Sequence, residues 1–324
     1  MLADVARRRA VLAGVPRAAA SRYTVGVRLG LAPAISISLA LSACGQGNDA
    51  RSSDPPAPTA SATTSAAPSA SPASLLDPNP FKLPPRTLKL DPQKRVFTVS
   101  DQMLAGAKLG STLVMFAGTV TGFDGELLVI EGRNGPPYKV HPAYAIAVPD
   151  DPRLQPGDPV VTEHNGILRH AVVKKHVKDR IVVRFLDAES RLGETPLKQA
   201  RFLKQTNGLH PGNFAALGDG ETLRHVLLIS PFEDGEKKWF VLGDSGAAMI
   251  AKESDLEALP VKVSLRAGAP VLAAHNGVLR KATIASTPET GLFTVKYERA
   301  GRPVTLGWGF LLPLPGSEKP RSGR

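Results

Sequence analysis

Leu154-Gln155-Pro156-Gly157-Asp158-Pro159-Val160-Val161 recurs 111 residues later as Leu265-Arg266-Ala267-Gly268-Ala269-Pro270-Val271-Leu272. The same offset carries His164-Asn165-Gly166-Ile167-Leu168-Arg169 onto His275-Asn276-Gly277-Val278-Leu279-Arg280. Each copy reads as a tight turn, a short apolar strand, a hairpin and a second strand. Asn-Gly between two apolar runs is the strongest short signal for a type I′ turn, because both central residues must take positive φ. Further upstream, Leu128-Val129-Ile130-Glu131-Gly132 falls on Trp239-Phe240-Val241-Leu242-Gly243, and Pro149 falls on Pro260, in the same register. Three separate stretches sharing one offset indicate a tandem duplication, with halves at 86–208 and 209–315.

Runs of Val, Ile, Leu and Phe four to seven residues long, punctuated by Gly, Pro, Asn and Asp, predict strands in both halves. In the first half these are residues 113–121, 126–130, 160–163, 167–174 and 181–186. In the second they include 223–229, 239–242, 271–274, 278–284 and 292–297. Helical periodicity is confined to 101–108 and 196–204. The expected fold is all-β, with two small closed barrels in each half.

The second module of each half resembles the SH3-like barrels of the Tudor and Agenet kind. The likeness rests on Pro-Gly-Asp-x-Val, a hairpin, an Arg-x-Ala-x-Val strand and a second strand ending Phe185-Leu186-Asp187. That resemblance implies tandem barrels built for recognition. Tudor readers hold a methylated cation in an aromatic cage. Here the strand positions after the hairpins are Ile167-Leu168 and Val278-Leu279, and Ala188 follows Asp187, so the cage is expected to be missing.

The amino-terminal region reads as an address. Leu29 to Ala43 is an uncharged apolar run after Arg28, closing on Leu41-Ser42-Ala43 before Cys44, the only cysteine of the chain. The run has the length of a secretory h-region and is too short to span a bilayer as a permanent helix. The pattern resembles the lipobox of bacterial lipoproteins, which implies cleavage before Cys44 and acylation of its thiol, with residues 1–43 as signal peptide. Because the segment before the apolar run is long, translation is expected to begin near residues 25–27. A single acyl chain binds a membrane only marginally, so firm anchoring implies two or three. Residues 44–85 are dominated by Ser, Ala, Pro and Thr without apolar periodicity and read as a disordered linker. Residues 316–324 form a basic tail.

One cysteine excludes an intramolecular disulfide, so the body depends on its apolar core. The formal charge is +11, and removal of residues 1–43 leaves +6, which favours anionic envelope material over cationic partners.

Gly243-Asp244-Ser245-Gly246 resembles the nucleophile loop of the trypsin family, and Ala273-Ala274-His275 resembles its histidine segment. That family places histidine before serine, and the duplication aligns these strings with Gly132-Arg133-Asn134-Gly135 and His164, so both read as turns. His164, His170 and His176 have no spacing that brings them together, and no carboxylate or cysteine recurs beside them. Phe81, Phe97, Trp239 and Trp308 read as core aromatics. The feature least explained by scaffold is Lys174-Lys175-His176-Val177-Lys178-Asp179-Arg180, a basic hairpin tip. The segment at the same offset, residues 285–290, carries none of this positive charge. Lys174, Lys175, Lys178 and Arg180 are therefore the candidate contacts for an anionic ligand.

The expectation is a lipid-anchored envelope protein that binds or spaces without catalysis, with no cofactor, no metal and no catalytic residues. Its partners would be the membrane, through Cys44, and an anionic envelope polymer or envelope protein. Gly45 after the lipid site favours the outer membrane in a Gram-negative cell. The competing classes are a secreted hydrolase and, for a chain that is not exported, a Tudor-like reader of nucleic acid or protein.

Overall fold

The computed structural model describes residues 77–317, apart from 87, 89, 134, 150–152, 166, 206–207, 220–221, 233–234 and 300. The signal segment, Cys44, the linker up to residue 76 and the tail from residue 318 lie outside the described residues. Among the described residues no helix is long and apolar enough to cross a membrane.

Alternation in Arg180–Phe185 shows why these segments become strands. Ile181, Val183 and Phe185 are fully buried, while the residues between them face outward, the two-residue period of a half-covered strand. Among the described residues twenty strands form, in four sets of five. Barrel one contains β1 (Arg95–Val99), β2 (Met115–Asp124), β3 (Leu127–Glu131), β4 (Tyr138–Val140) and β5 (Ala145–Val148), with helix α1 (Asp101–Leu104) between β1 and β2. Barrel two contains β6 (Pro159–His164), β7 (Ile167–Val177), β8 (Arg180–Phe185), β9 (Leu192–Pro196) and β10 (Ala200–Phe202). Barrel three contains β11 (Phe214–Asp219), β12 (Thr222–Pro231), β13 (Lys238–Gly243), β14 (Ala248–Lys252) and β15 (Leu256–Ala258). Barrel four contains β16 (Pro270–His275), β17 (Val278–Glu289), β18 (Leu292–Tyr297), β19 (Val304–Gly307) and β20 (Leu311–Pro313).

All four sets pair antiparallel in one order, with the fourth, third, second, first and fifth strands as successive neighbours. In the first three a 3₁₀ turn joins the fourth strand to the fifth. The second strand is the longest or joint longest of each set and must bend to serve both sides of a small barrel. It does so at a bulge, before Gly122, Lys175, Ser230 and Ser286 respectively.

A turn ahead of each first strand clips the residue just before that bulge. Gly157 donates its amide to Val173 and takes part in a turn whose next carbonyl, Asp158, accepts from Val173. Gly212 and Asn213 do the same to Leu228, Gly268 and Ala269 to Ile284, and Gln93 and Lys94 to Val120. The clipping residue has φ of 92°, 89°, 82° and 71° in these four turns. Glycine meets that demand without strain in three barrels, whereas Gln93 carries a Cβ into the left-handed region. Gln93→Gly is therefore expected to stabilise the protein by about 0.5–1 kcal/mol, read as a higher urea midpoint with an unchanged slope.

The barrels share cores rather than hanging as beads. One apolar cluster runs from Val96, Phe97 and Ile130 of barrel one into Ile229, Phe240 and Leu242 of barrel three. Tyr144 meets Phe240 edge to face at 5.3 Å, and Phe81 packs on both rings at 5.7 and 5.6 Å. Leu272, Leu279 and Leu312 of barrel four join Ala216 of barrel three, and Val172 and Leu186 of barrel two enter the core of barrel four. Arg201 of barrel two donates to the Ala147 carbonyl of barrel one. The packing order is thus cyclic: one, two, four, three.

Two sequence expectations change. Residues 77–85, placed with the linker by composition, belong to the body: Phe81 packs in the shared core, and the Tyr144 hydroxyl donates to Asn79 Oδ1 at 2.7 Å. Residues 196–204, read as a helix, instead form the end of β9, a 3₁₀ turn at Leu197–Gln199 and β10. The apolar spacing that imitated a helix arises because Ala200 and Leu203 are each buried, one in the strand and one just after it.

Candidate functional site

β7 and β8 continue past the body of barrel two and close at Lys178, whose φ of 56° makes the tip. Of the four basic candidates, two are engaged. Lys174 is ion-paired with the Glu289 carboxylate of β17, and Arg184 Nε stands 3.2 Å from the other oxygen of that carboxylate. Partial burial, with the nearby Arg184 charge, pulls the Lys174 ammonium below its usual range. Arg180 Nε donates to Glu194 Oε1 at 2.7 Å. Lys175 and Lys178 are exposed and have no side-chain partner among the described residues. His176 Nε2 meets the Leu154 carbonyl at 2.7 Å, which ties the hairpin to its own barrel. The segment at 285–290, chargeless of cations in the sequence, thus supplies the acid that holds the hairpin base.

Sequence reasoning missed the centre of the molecule. His170 of β7, Phe214 of β11, His225 of β12 and Phe310 before β20 stack in succession, with centroids 4.0, 4.2 and 5.0 Å apart. His170 Nε2 lies 2.7 Å from the Gly212 carbonyl, and His225 Nε2 lies 2.9 Å from the Gly309 carbonyl. A carbonyl only accepts, so each Nε2 carries a proton. Both Nδ1 atoms are buried without a hydrogen bond. The signal was present: Leu168-Arg169-His170 and Leu223-Arg224-His225 are the same string 55 residues apart.

Burial pushes His170 down to about 3 and lowers His225 as well. A histidine that resists protonation when folded but accepts it when unfolded favours the unfolded chain in acid. Stability should therefore fall as pH drops below about 6.5, by about 1.4 kcal/mol per unit for His170, until its folded value is reached. Denaturation midpoints measured from pH 7 to pH 4 should show this slope, and His170→Gln should flatten it.

The Gly243-Asp244-Ser245-Gly246 string is a tight turn, with the Gly246 amide donating to the Gly243 carbonyl at 2.8 Å. It receives the long β1–β2 connection of barrel one. Leu113 N donates to Gly246 O, Gly110 N to Ala248 O and Ala248 N to Ser111 O, so residues 110–113 extend the edge beyond β14. Asp244 Oδ1 stands 4.0 Å from His225 Nδ1, while the other nitrogen of that ring is committed to Gly309. His275, the histidine singled out by sequence, packs instead on Tyr297 at 5.0 Å, and His164 packs on Phe185 at 4.8 Å. Asn276 and Gly277 have φ of 50° and 75°, as their hairpin requires. Phe97, Trp239 and Trp308 are buried, and Trp308 Nε1 donates to the Val263 carbonyl at 2.9 Å. Among the described residues no three His, Cys, Asp or Glu side chains gather as a metal site would require.

No family model matches the chain, and no curated protein matches it. Among solved structures it is similar to the four MBT repeats of Drosophila melanogaster Sfmbt in complex with a methyl-lysine peptide. The identity is 8%, covering 69% of this chain and 88% of that one, with a TM-score of 0.16. The fold assignment rests on the strand order described above.

Proposed function

We propose that this protein is an acylated lipoprotein of the bacterial cell envelope, held to a membrane through Cys44 and acting without catalysis as a binding or spacing body. The observation that carries the reading is Leu41-Ser42-Ala43-Cys44 at the end of an uncharged run, followed by a Ser/Ala/Pro/Thr tract of linker composition. In a Gram-negative cell Gly45 directs it to the outer membrane. The shared cores support a body that holds its surfaces in fixed relation, suited to presenting a composite face or keeping a set distance. Lys175 and Lys178 at the β7–β8 tip offer cations to an anionic polymer or protein partner. The aliphatic pairs Ile167-Leu168 and Val278-Leu279 argue against capture of a methylated cation in a Tudor-type cage.

Labelling cells with an alkyne-bearing palmitate tests the anchor. The wild-type chain should take up label and sediment with membranes, and Cys44→Ser should lose both. Native protein with an unmodified Cys44 sulfur and residues upstream of it still attached overturns the assignment.

A further inference from the structure

Barrels one and two face each other across an open cleft of about 180 Å³, formed by β1, β2 and the end of β3 on one side and by the β6 terminus and the Leu197–Gln199 turn on the other. Arg95, Arg133 and Lys198 line it, together with the carboxylates of Glu131 and Glu163. The side chains of Arg95, Arg133, Lys198 and Glu131 make no hydrogen bond or ion pair among the described residues. Three other cations of barrel two are engaged: Arg169 by Asp187 and Glu189, Arg180 by Glu194, and Lys174 by Glu289.

The second half shows that the scaffold does not need a cation at the Arg133 turn. Gly243-Asp244 stands at the 111-residue offset from Gly132-Arg133, so an aspartate occupies the place of the arginine. A separate cleft beside that turn is lined by Asp244, Ser245, His225 and Arg224, with Asn276 from barrel four. The fold accepts either sign at this turn, so Arg133 is not required by the scaffold.

We propose that the cleft between barrels one and two binds an acidic saccharide unit. Arg95, Arg133 and Lys198 take its carboxylate or phosphate, and Glu131 accepts from a neighbouring hydroxyl. Guanidinium groups suit such anions because two parallel N–H donors match two oxygens. A ligand that is only anionic would meet Glu131 and Glu163 unfavourably, whereas a hydroxylated anion satisfies both signs. The space lies below the range of about 300–1,000 Å³ that encloses drug-sized ligands, which limits the occupant to one sugar-sized unit of a larger polymer. This inference rests on the binding-body reading and gives that reading its ligand class.

The test uses the full chain with Cys44→Ser, so that its outcome is independent of acylation. The amide resonances of Gly118 and Gly132 are followed at low salt during titration with D-glucuronate, D-glucose 6-phosphate and D-glucose. A shift with either acidic sugar and none with glucose supports the site, and the sugar that acts identifies the anion. Combined Arg95→Gln, Arg133→Gln and Lys198→Gln should weaken binding at least tenfold, as should Arg133→Asp, which installs the residue of the second half. Lys281→Gln with Lys296→Gln, at exposed positions of barrel four, should leave binding unchanged. No shift with either acid, an equal shift with glucose, or a response insensitive to the cleft substitutions overturns the proposal. Binding here with no acylation at Cys44 would remove the anchor and keep the site; the reverse result would remove the site alone.

Discussion

Replacing Gly246 with alanine should lower the unfolding free energy by about 3 kcal/mol or more, and hydrogen exchange should speed up first at Leu113 and Ala248. Two costs add. The residue holds φ at +78°, where a Cβ is strained, and that Cβ would stand 2.4 Å from the Leu113 carbonyl oxygen and 3.2 Å from Thr112 Cγ2. The first obstacle is backbone and is held by its own hydrogen-bonded register on β14, so it cannot turn aside as a flexible side chain would. Gly106→Ala provides the control. Its φ is +67° with nothing within 4 Å of the added atom, so only the conformational cost applies, about 1 kcal/mol. Urea denaturation of the two variants separates collision from backbone strain, and equal losses would show that the Leu113 contact is not tight.

Phe240→Ala is expected to cost about 3–5 kcal/mol, the range for truncating a fully buried aromatic. Phe240 has no exposed surface and contacts Tyr144 and Phe81, which belong to barrel one and the segment leading into it. The loss should therefore be felt on both sides of the join. If the shared core couples the barrels, near-ultraviolet ellipticity and far-ultraviolet ellipticity fall together at a lower midpoint. Separate transitions for tyrosine environment and strand content would mean that barrel one folds without barrel three.

The parts of this fold that were legible in the sequence are those governed by local chemistry. Asn165 and Asn276 take the positive φ that Asn-Gly hairpins demand, and Arg180–Phe185 alternates as a strand must. Strands such as β11 and β14, with Ala-rich and mixed sequences, are set instead by their neighbours: β14 lies between β13 and the Gly110–Leu113 excursion of another barrel. The 111-residue period was visible, yet it is twice a module of 55–56 residues, traced by Gly157, Gly212 and Gly268 and by the bulges that they clip. Barrel one obscures the module because Gln93 replaces the glycine and a 15-residue connection separates β1 from β2. At the basic hairpin, charge was readable but engagement was not. Glu289 and Glu194 reach Lys174 and Arg180 from other strands, so only the three-dimensional arrangement distinguishes those two cations from Lys175 and Lys178.

By laying Gly110 to Leu113 alongside the rim of barrel three, barrel one occupies amide and carbonyl groups that would otherwise recruit a neighbouring molecule's backbone. Copies standing shoulder to shoulder then meet there through side chains, and one route to fibrous self-association is closed before crowding can exploit it.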